Sequence, residues 1–502
     1  MHSNQSGPPV QASRDRVIKA VAQSSTREST AVGTGAEVNG VDVLSPTLDD
    51  ATPVIGLIDL DQVSDAYERL TAAFSGSTDV LHAVACKAVP LRPLLRYYAE
   101  AGAGCEVASP GELDLALTAG FAPERIVFDS PAKTLSELKR AVSLGVSMNI
   151  DNYEELDRLD AILAADAPLE TEGHLAAGAP LNADANQVGA PESGATSARV
   201  GIRINPQSGT GTIGALSTAT QTSKFGIGLA DPGAREALID AYLARPWLNQ
   251  IHVHSGSQGI SLDQAAAGIE IVVELAQEIN RRAAQAHGRD RQVTRIDIGG
   301  GLPVNFAGEE ITPTFADYRA VLAAQVPGLF DFDIITEFGR ALLAKAGTIL
   351  THVEYAKTTG GRRIAMTHAG VQVATRTAYA PADWPLRILP FDPDGNHKSA
   401  EEVPTDVAGP ACFAGDLLAR DRLLPRLDAG DIVAVPDTGA YYFSNAFSYN
   451  LLPRVPVFGY RATPEAVEYS LIRRGQSREE ILAEAGEATI SPYRPVQNEA
   501  GS

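Results

Sequence analysis

Leu81-His82-Ala83-Val84-Ala85-Cys86-Lys87-Ala88 is a mostly apolar run, too short for a stable helix, with a charged residue, Lys87, next to its end. Short strand-like runs recur along the chain, in Gly104–Ala108, Arg125–Phe128, Val146–Ile150, Val200–Ile204, Gln250–His254, Arg295–Ile298 and Asp333–Thr336. Helix-like periodicity separates most of these runs, for instance over Leu135–Ser143 and Gln264–Arg282. Eight short strands alternating with helices predict a (β/α)8, TIM-like barrel, with a doubly wound sheet as the competing arrangement. Polar or special residues stand at or just past the strand ends: Lys87, Glu106, Asp129, Asp151, Arg203, His254, Gly299–Gly301, Glu337 and Arg340. In a barrel that rim carries the active site, because every βα loop converges there.

The chain has 502 residues, too many for one ordinary domain of roughly 100–200. After Arg340 the texture changes to short β-like runs with turn residues: Gly347–Tyr355, Arg362–Met366, Asp431–Val435 and Ala440–Phe443. The expected organisation is therefore a flexible tail over 1–40, a strand segment over 41–57 that joins a β-domain, and a barrel over 58–345. A mostly-β C-terminal domain follows over 346–465, then a tail over 466–502. Residues 165–197, rich in Ala, Gly, Pro, Asn and Glu, read as a surface insertion. With 41 basic and 62 acidic side chains the net charge is −21, which argues against nucleic acid or an anionic membrane as the main partner. Cys86, Cys105 and Cys412 form neither a disulfide framework nor a metal-binding spacing, and no apolar run approaches the roughly 18 residues of a membrane span. The expectation is a cytoplasmic protein without a metal.

The chemistry concentrates at the predicted rim. Lys87 at a strand end either reaches solvent or, in an apolar and partly buried place, becomes an amine able to attack a carbonyl. Asp297-Ile298-Gly299-Gly300-Gly301 ends a strand in glycines that let backbone N–H groups approach an anion. Glu337-Phe338-Gly339-Arg340 ends the next strand and adds a guanidinium fork suited to phosphate. His254-Ser255-Gly256-Ser257 offers a flat ring with hydroxyls after it, and Glu337 a carboxylate able to keep a pyridine nitrogen protonated. Lysine, stacking imidazole, ring-nitrogen carboxylate and phosphate cup together describe pyridoxal phosphate.

On these residues the chain resembles the fold type III pyridoxal-phosphate decarboxylases, the group of diaminopimelate, ornithine and arginine decarboxylases. The resemblance runs from about Thr52 to Tyr460. It includes Cys86-Lys87-Ala88, Glu106-Val107-Ala108-Ser109 with Gly111-Glu112-Leu113, Ser223-Lys224-Phe225-Gly226 and His252 through Gln258. It continues through Gly299–Gly301, Glu337–Arg340, Gly409-Pro410-Ala411-Cys412 to Asp416, and Gly439-Ala440-Tyr441 followed by Asn450. The resemblance implies an alanine racemase-like barrel with a decarboxylase β-domain. It implies Lys87 as the cofactor lysine, His254 stacked on the ring and Glu337 at its nitrogen. Ser257, Gly300, Gly301, Gly339, Arg340 and Tyr441 surround the phosphate, Tyr441 from the other subunit. Cys412, also from the partner chain of a homodimer with shared sites, protonates Cα after the carboxylate leaves.

The departures from the family pattern fall on the substrate side. Phe413 stands where members acting on free diamino acids place Asp or Glu, and the Arg-Tyr pair that reads a distal carboxylate is represented by Arg376 and Tyr379 at altered spacing. Phe338 replaces the usual proline, and Val89 the usual asparagine. With Asp416, these residues form the expected substrate wall. The implied activity is removal of the α-carboxylate from an amino acid or amino-acid conjugate whose distal part is neutral, apolar or anionic, rather than from a simple free diamino acid. The alternatives are an amino-acid racemase and a catalytically inactive, pyridoxal-phosphate-binding regulatory relative.

Overall fold

All eight predicted runs are strands, and they close a parallel barrel. In the computed structural model, which describes residues 10–28, 37–38, 41–42, 45–76, 79–165, 199–214 and 217–486, they pair in chain order. They are Val80–Ala85, Gly104–Val107, Ile126–Phe128, Ser147–Ile150, Val200–Asn205, Leu248–Val253, Arg295–Asp297 and Asp333–Thr336. Val200–Asn205 pairs with Leu248–Val253, and Asp333–Thr336 returns to Val80–Ala85, so no edge is left open. These strands are buried almost along their whole length, as expected where helices cover one face and side chains fill the interior of the other. Several of the helices begin on side-chain caps. Ser109 accepts from the Glu112 N–H, Asn152 from the Glu155 N–H, and Thr134 forms a reciprocal capping box with Glu137.

The β-domain is built around one long strand, Gly347–Thr359. Its first half pairs with Val54–Asp59 on one side and Ile432–Pro436 on the other, and its second half pairs with Arg362–Thr367. Glu402–Ala408 and Leu417–Pro425 extend the sheet one way. Val457–Ala462 and Val467–Arg473 extend it the other way. Val54–Asp59 thus belongs to this sheet although it precedes the barrel in the chain.

Three expectations need correction. Residues assigned to a flexible N-terminal tail include a helix, Val10–Glu28. Its Val17, Ile18, Val21 and Ala22 cluster with Ile55, Leu57, Leu350, Phe458 and Tyr460 of the β-domain, which supplies the apolar burial that ordering a chain end requires. The assigned C-terminal tail likewise contains the strand Val467–Arg473 and the helix Arg478–Glu484. Ala440–Phe443, read as β-like, is a turn in which Tyr441 takes a left-handed φ of 70°. Residues 1–9, 166–198 and 487–502, and with them nearly all of the expected insertion, lie outside the described residues.

The N-terminal helix is also tied electrostatically to the rest of the molecule. Ser13 Oγ donates to Asp59 Oδ2 at 2.9 Å, and the Arg14 guanidinium, 2 % exposed, pairs with Glu309. Glu309 in turn pairs with Arg387 at 2.6 Å, and Arg387 with Asp437 at 2.8 Å, four residues before Tyr441. Truncating Arg14 leaves Glu309 with Arg387 alone. Arg14→Ala is expected to destabilise the fold by about 2 kcal/mol, below the 3–5 of a fully buried pair because Glu309 retains a partner and some water. Urea unfolding measures this, and an unchanged midpoint would contradict the helix placement.

Candidate active site

The rim of the barrel is a recess centred on Lys87. The first barrel strand ends in a single helical turn, Cys86–Ala88, which turns the lysine inward. Its side chain keeps 45 % of its surface accessible, so the amine can be reached at the barrel rim. Nζ donates to both carboxylate oxygens of Glu106, each at 2.7 Å. Burial pulls the Lys87 ammonium down, but Glu106 outweighs it and holds the lysine above its usual range. Burial pushes Glu106 up against the pull of Lys87. With both oxygens in contact the pair is a charged one, and Glu106 is a readier proton acceptor than an ordinary carboxylate.

Other strand ends of the barrel contribute a set of buried and half-buried polar groups. His254 accepts the Gly300 N–H on Nδ1 at 3.1 Å, which places any ring proton on Nε2. Burial, then the Arg203 charge, push its pKa down to about 3, so the imidazole is neutral. Glu337 closes the last strand, and its backbone N–H donates to Gly299 at 2.7 Å. His252, two residues before His254, lies between two carboxylates, with Nδ1 3.4 Å from Asp129 and Nε2 3.6 Å from Glu337. Burial opposes its charge, but Asp129, Asp297 and Glu337 raise its pKa to about 9. That cation chiefly offsets the burial cost of Glu337 and holds the carboxylate below its usual range. Arg203 and His252 do the same for Asp129, with the Arg203–Asp129 contact at 2.9 Å.

The far end of the recess suits an anion. Gly301 has a φ of 104°, and a Cβ there would meet the Gly256 carbonyl at 2.1 Å, so the loop requires glycine to lie this close to the segment that carries Ser257. Gly339 packs against Ala88, and a Cβ on it would come 3.5 Å from the Tyr441 hydroxyl. The Arg340 and Arg376 guanidiniums stand 4.6 and 4.5 Å from the Tyr441 ring, and both also face Trp384. No carboxylate pairs with either among the described residues; Arg340 Nε and Arg376 Nη1 are buried without hydrogen-bond partners. Burial lowers the Arg340 pKa to about 10.

These features fit pyridoxal phosphate. The amine is accessible at the barrel rim. Glu337 Oε1 is buried with no hydrogen-bond partner, which suits a carboxylate that pairs with a ring N–H, and the glycine loop with Arg340 suits a phosphate.

Of the residues singled out from sequence, Lys87, His254, Gly300, Gly301, Glu337, Gly339, Arg340 and Tyr441 thus meet in one recess, with Ser257 beside Gly301. Tyr441 is a correction. It belongs to the same chain as Lys87, because its N–H donates to the Ala88 carbonyl at 2.9 Å and fixes the turn against the lysine. Asp416 is a second correction. Its oxygens accept the Val371 and Ala411 N–H groups at 2.6 and 2.7 Å, so it shapes the loop before Cys412 rather than facing substrate. Cys412 itself is exposed, and its contacts are with Asn450 and Tyr449.

Beside Cys412 lies an aromatic square. Tyr379 stacks on Phe413 (5.5 Å between centroids) and Phe447 on Tyr449 (5.9 Å), while edge-to-face contacts of 5.6 and 5.8 Å close it. Tyr379 is 59 % exposed. Arg376 and Tyr379 share the short helix Thr375–Tyr379, which joins this square to the anion end of the recess. Sequence reading missed the parts played by His252 and Glu106. For His252 the signal was present, because a second histidine at i−2 on a strand faces the same side as His254.

Residues 60–344 match the family described as "Pyridoxal-dependent decarboxylase, pyridoxal binding domain". The chain is 28 % identical to the diaminopimelate decarboxylase of Helicobacter pylori over 408 residues, covering 80 % of this chain and 88 % of that protein. It is 30 % identical to that of Aquifex aeolicus over 388 residues, covering 77 % and 82 %. The crystal structure of the Helicobacter pylori diaminopimelate decarboxylase complexed with L-lysine superposes with a TM-score of 0.68 at 27 % identity, covering 86 % of this chain and 97 % of that one. Among the described residues no helix is long and apolar enough to cross a membrane.

Proposed function

From the premise that this chain belongs to the pyridoxal-dependent decarboxylase family and is a pyridoxal-phosphate-dependent amino-acid decarboxylase, we propose which residues do the work and what kind of substrate they select. Lys87 holds the cofactor, with Glu106 taking the proton the amine must lose. His254 presents its neutral ring to the cofactor face, and Glu337 Oε1 accepts from the ring nitrogen. Ser257, Gly300, Gly301, Gly339, Arg340 and Tyr441 hold the phosphate. When bound, pyridoxal phosphate supplies a protonated ring that takes up the electrons released as the carboxylate leaves. Cys412 of a second copy in a homodimer delivers a proton to the substrate Cα. The observation that carries this reading is the buried, partnerless Glu337 oxygen in the recess that also holds the amine of Lys87.

The substrate is an amino acid or conjugate whose distal part is neutral, apolar or anionic. A distal ammonium, once desolvated, needs a carboxylate, and the square beside Cys412 presents Phe413, Tyr379, Phe447 and Tyr449 instead. The partnerless Nη1 of Arg376 favours an anionic end. Carbon dioxide release from a panel of amino acids tests this. The expected outcome is faster turnover of monoamino acids with apolar or acidic ends than of lysine, ornithine or diaminopimelate, and the reverse order overturns the substrate reading. Phe413→Asp is expected to raise kcat/KM for lysine relative to the preferred substrate at least about tenfold, since about 1.4 kcal/mol of charge pairing suffices.

A further inference from the structure

The β-domain carries a second convergence of ligating side chains, outside the recess. His352 and Glu354 are two residues apart on the strand Gly347–Thr359 and so share one face. His368 follows the strand Arg362–Thr367, which pairs antiparallel with it in the register Val353 to Thr367. The imidazole Nε2 atoms of His352 and His368 lie 2.8 and 3.0 Å from the same Glu354 oxygen, Oε2. All three ligand atoms fall within 4.8 Å of one another, on rings inclined at 74°. The two histidine side chains are 16 % and 32 % exposed, so the cluster is half-buried and still open to solvent. It borders a depression of about 350 Å³ that Asp49 and Asp50 also line. None of these groups takes part in the chemistry proposed for the barrel.

We propose that His352, Glu354 and His368 bind one divalent transition-metal ion of the zinc class. Two imidazoles and one carboxylate are a ligand set such ions take at about 2.0–2.2 Å, with solvent filling the remaining position. Tetrahedral bonds of that length put ligand atoms roughly 3.3 Å apart. The two contacts to Glu354 therefore need to open by only a few tenths of an ångström. Both imidazoles already direct Nε2 at one oxygen, which gathers the ligand atoms, and the ion takes the place of the two Nε2 protons, each neutral ring then carrying its proton on Nδ1. The acidic rim from Asp49 and Asp50 favours a cation. The ion clips the second half of the long strand to the end of its neighbour.

The test is calorimetric titration of chelator-treated holoenzyme with Zn²⁺, followed by Co²⁺, whose visible absorption reports imidazole coordination. The expected result is one ion per chain. His368→Ala and Glu354→Gln are each expected to weaken binding at least about tenfold, and His352→Ala/His368→Ala to remove it. The cofactor absorption, expected to be unchanged throughout, shows that the variants are folded. Stoichiometric binding that survives in the double variant, or no binding by the parent protein, overturns the proposal.

Discussion

Lys87→Ala is expected to lower decarboxylation by more than about a thousandfold, equivalent to about 4 kcal/mol of barrier, and to leave no cofactor covalently attached. Among the described residues, Lys133 is the one lysine that is fully buried, and it is not free to substitute. It donates to Glu155 and to the carbonyls of Ser130 and Asn149 at 2.7–2.8 Å, which uses all three of its protons. Borohydride reduction of the parent protein followed by peptide mass analysis is expected to find the cofactor mass on the peptide carrying Lys87. The variant is expected to show none. A cofactor fixed to another lysine, or turnover retained in the variant, contradicts the assignment. Because Lys87 starts as an ammonium paired with Glu106, Glu106→Gln is expected to retain the site yet slow its loading, for want of a proton acceptor.

The barrel was legible because each strand is a short apolar run and each rim residue stands at its end, so periodicity and position agree. The helix Val10–Glu28 was not. Its buried face contains Ser13 and Arg14, two residues that read as solvated and are buried here because Asp59 and Glu309 receive them. A partner 46 or 295 residues away leaves no local trace. The strand Val467–Arg473 was lost for a related reason. Only Ile472 of it is buried, so it lacks the apolar run that marked the barrel strands, and it is a strand through pairing with Val457–Ala462.

Within the site, the residues legible in sequence are those whose side-chain chemistry is rare at a strand end: an amine, an imidazole, a glycine triplet, a carboxylate followed by a guanidinium. Less legible was how the charges hold one another. Asp129, Arg203, His252 and Glu337 come from four separate strand ends. Their ionisation depends on distances of 2.9–3.6 Å that only closure of the barrel creates. A positive His252 between Asp129 and Glu337 keeps Glu337 ionised in a place where burial alone would protonate it. Tyr441 was assigned to the wrong chain because the turn at Asp437 and Tyr441, with φ of 64° and 70°, is not visible in residue types. That turn brings Tyr441 back onto its own lysine.

Cys412→Ala is expected to keep the cofactor and its absorption while lowering correct product formation by about 10²–10⁴, the usual worth of a positioned general acid. The argument rests on position. Cys412 is exposed, its backbone N–H is held by Asn450 Oδ1 at 2.7 Å, and the loop before it is fixed through Asp416, so the thiol is presented outward on an ordered loop. The Cys412 carbonyl is held by Tyr449, and the homodimer proposed above places its thiol in the recess of a second copy. Lys87→Ala and Cys412→Ala are therefore expected to complement each other. When the two inactive proteins are mixed and allowed to exchange subunits, half of the dimers are mixed and each carries one intact site, so activity returns to about a quarter of the parent level. If mixing restores nothing although subunit exchange is demonstrated by mass, Cys412 does not serve the partner's site. If Cys412→Ala alone turns over at the parent rate, the thiol is not the acid.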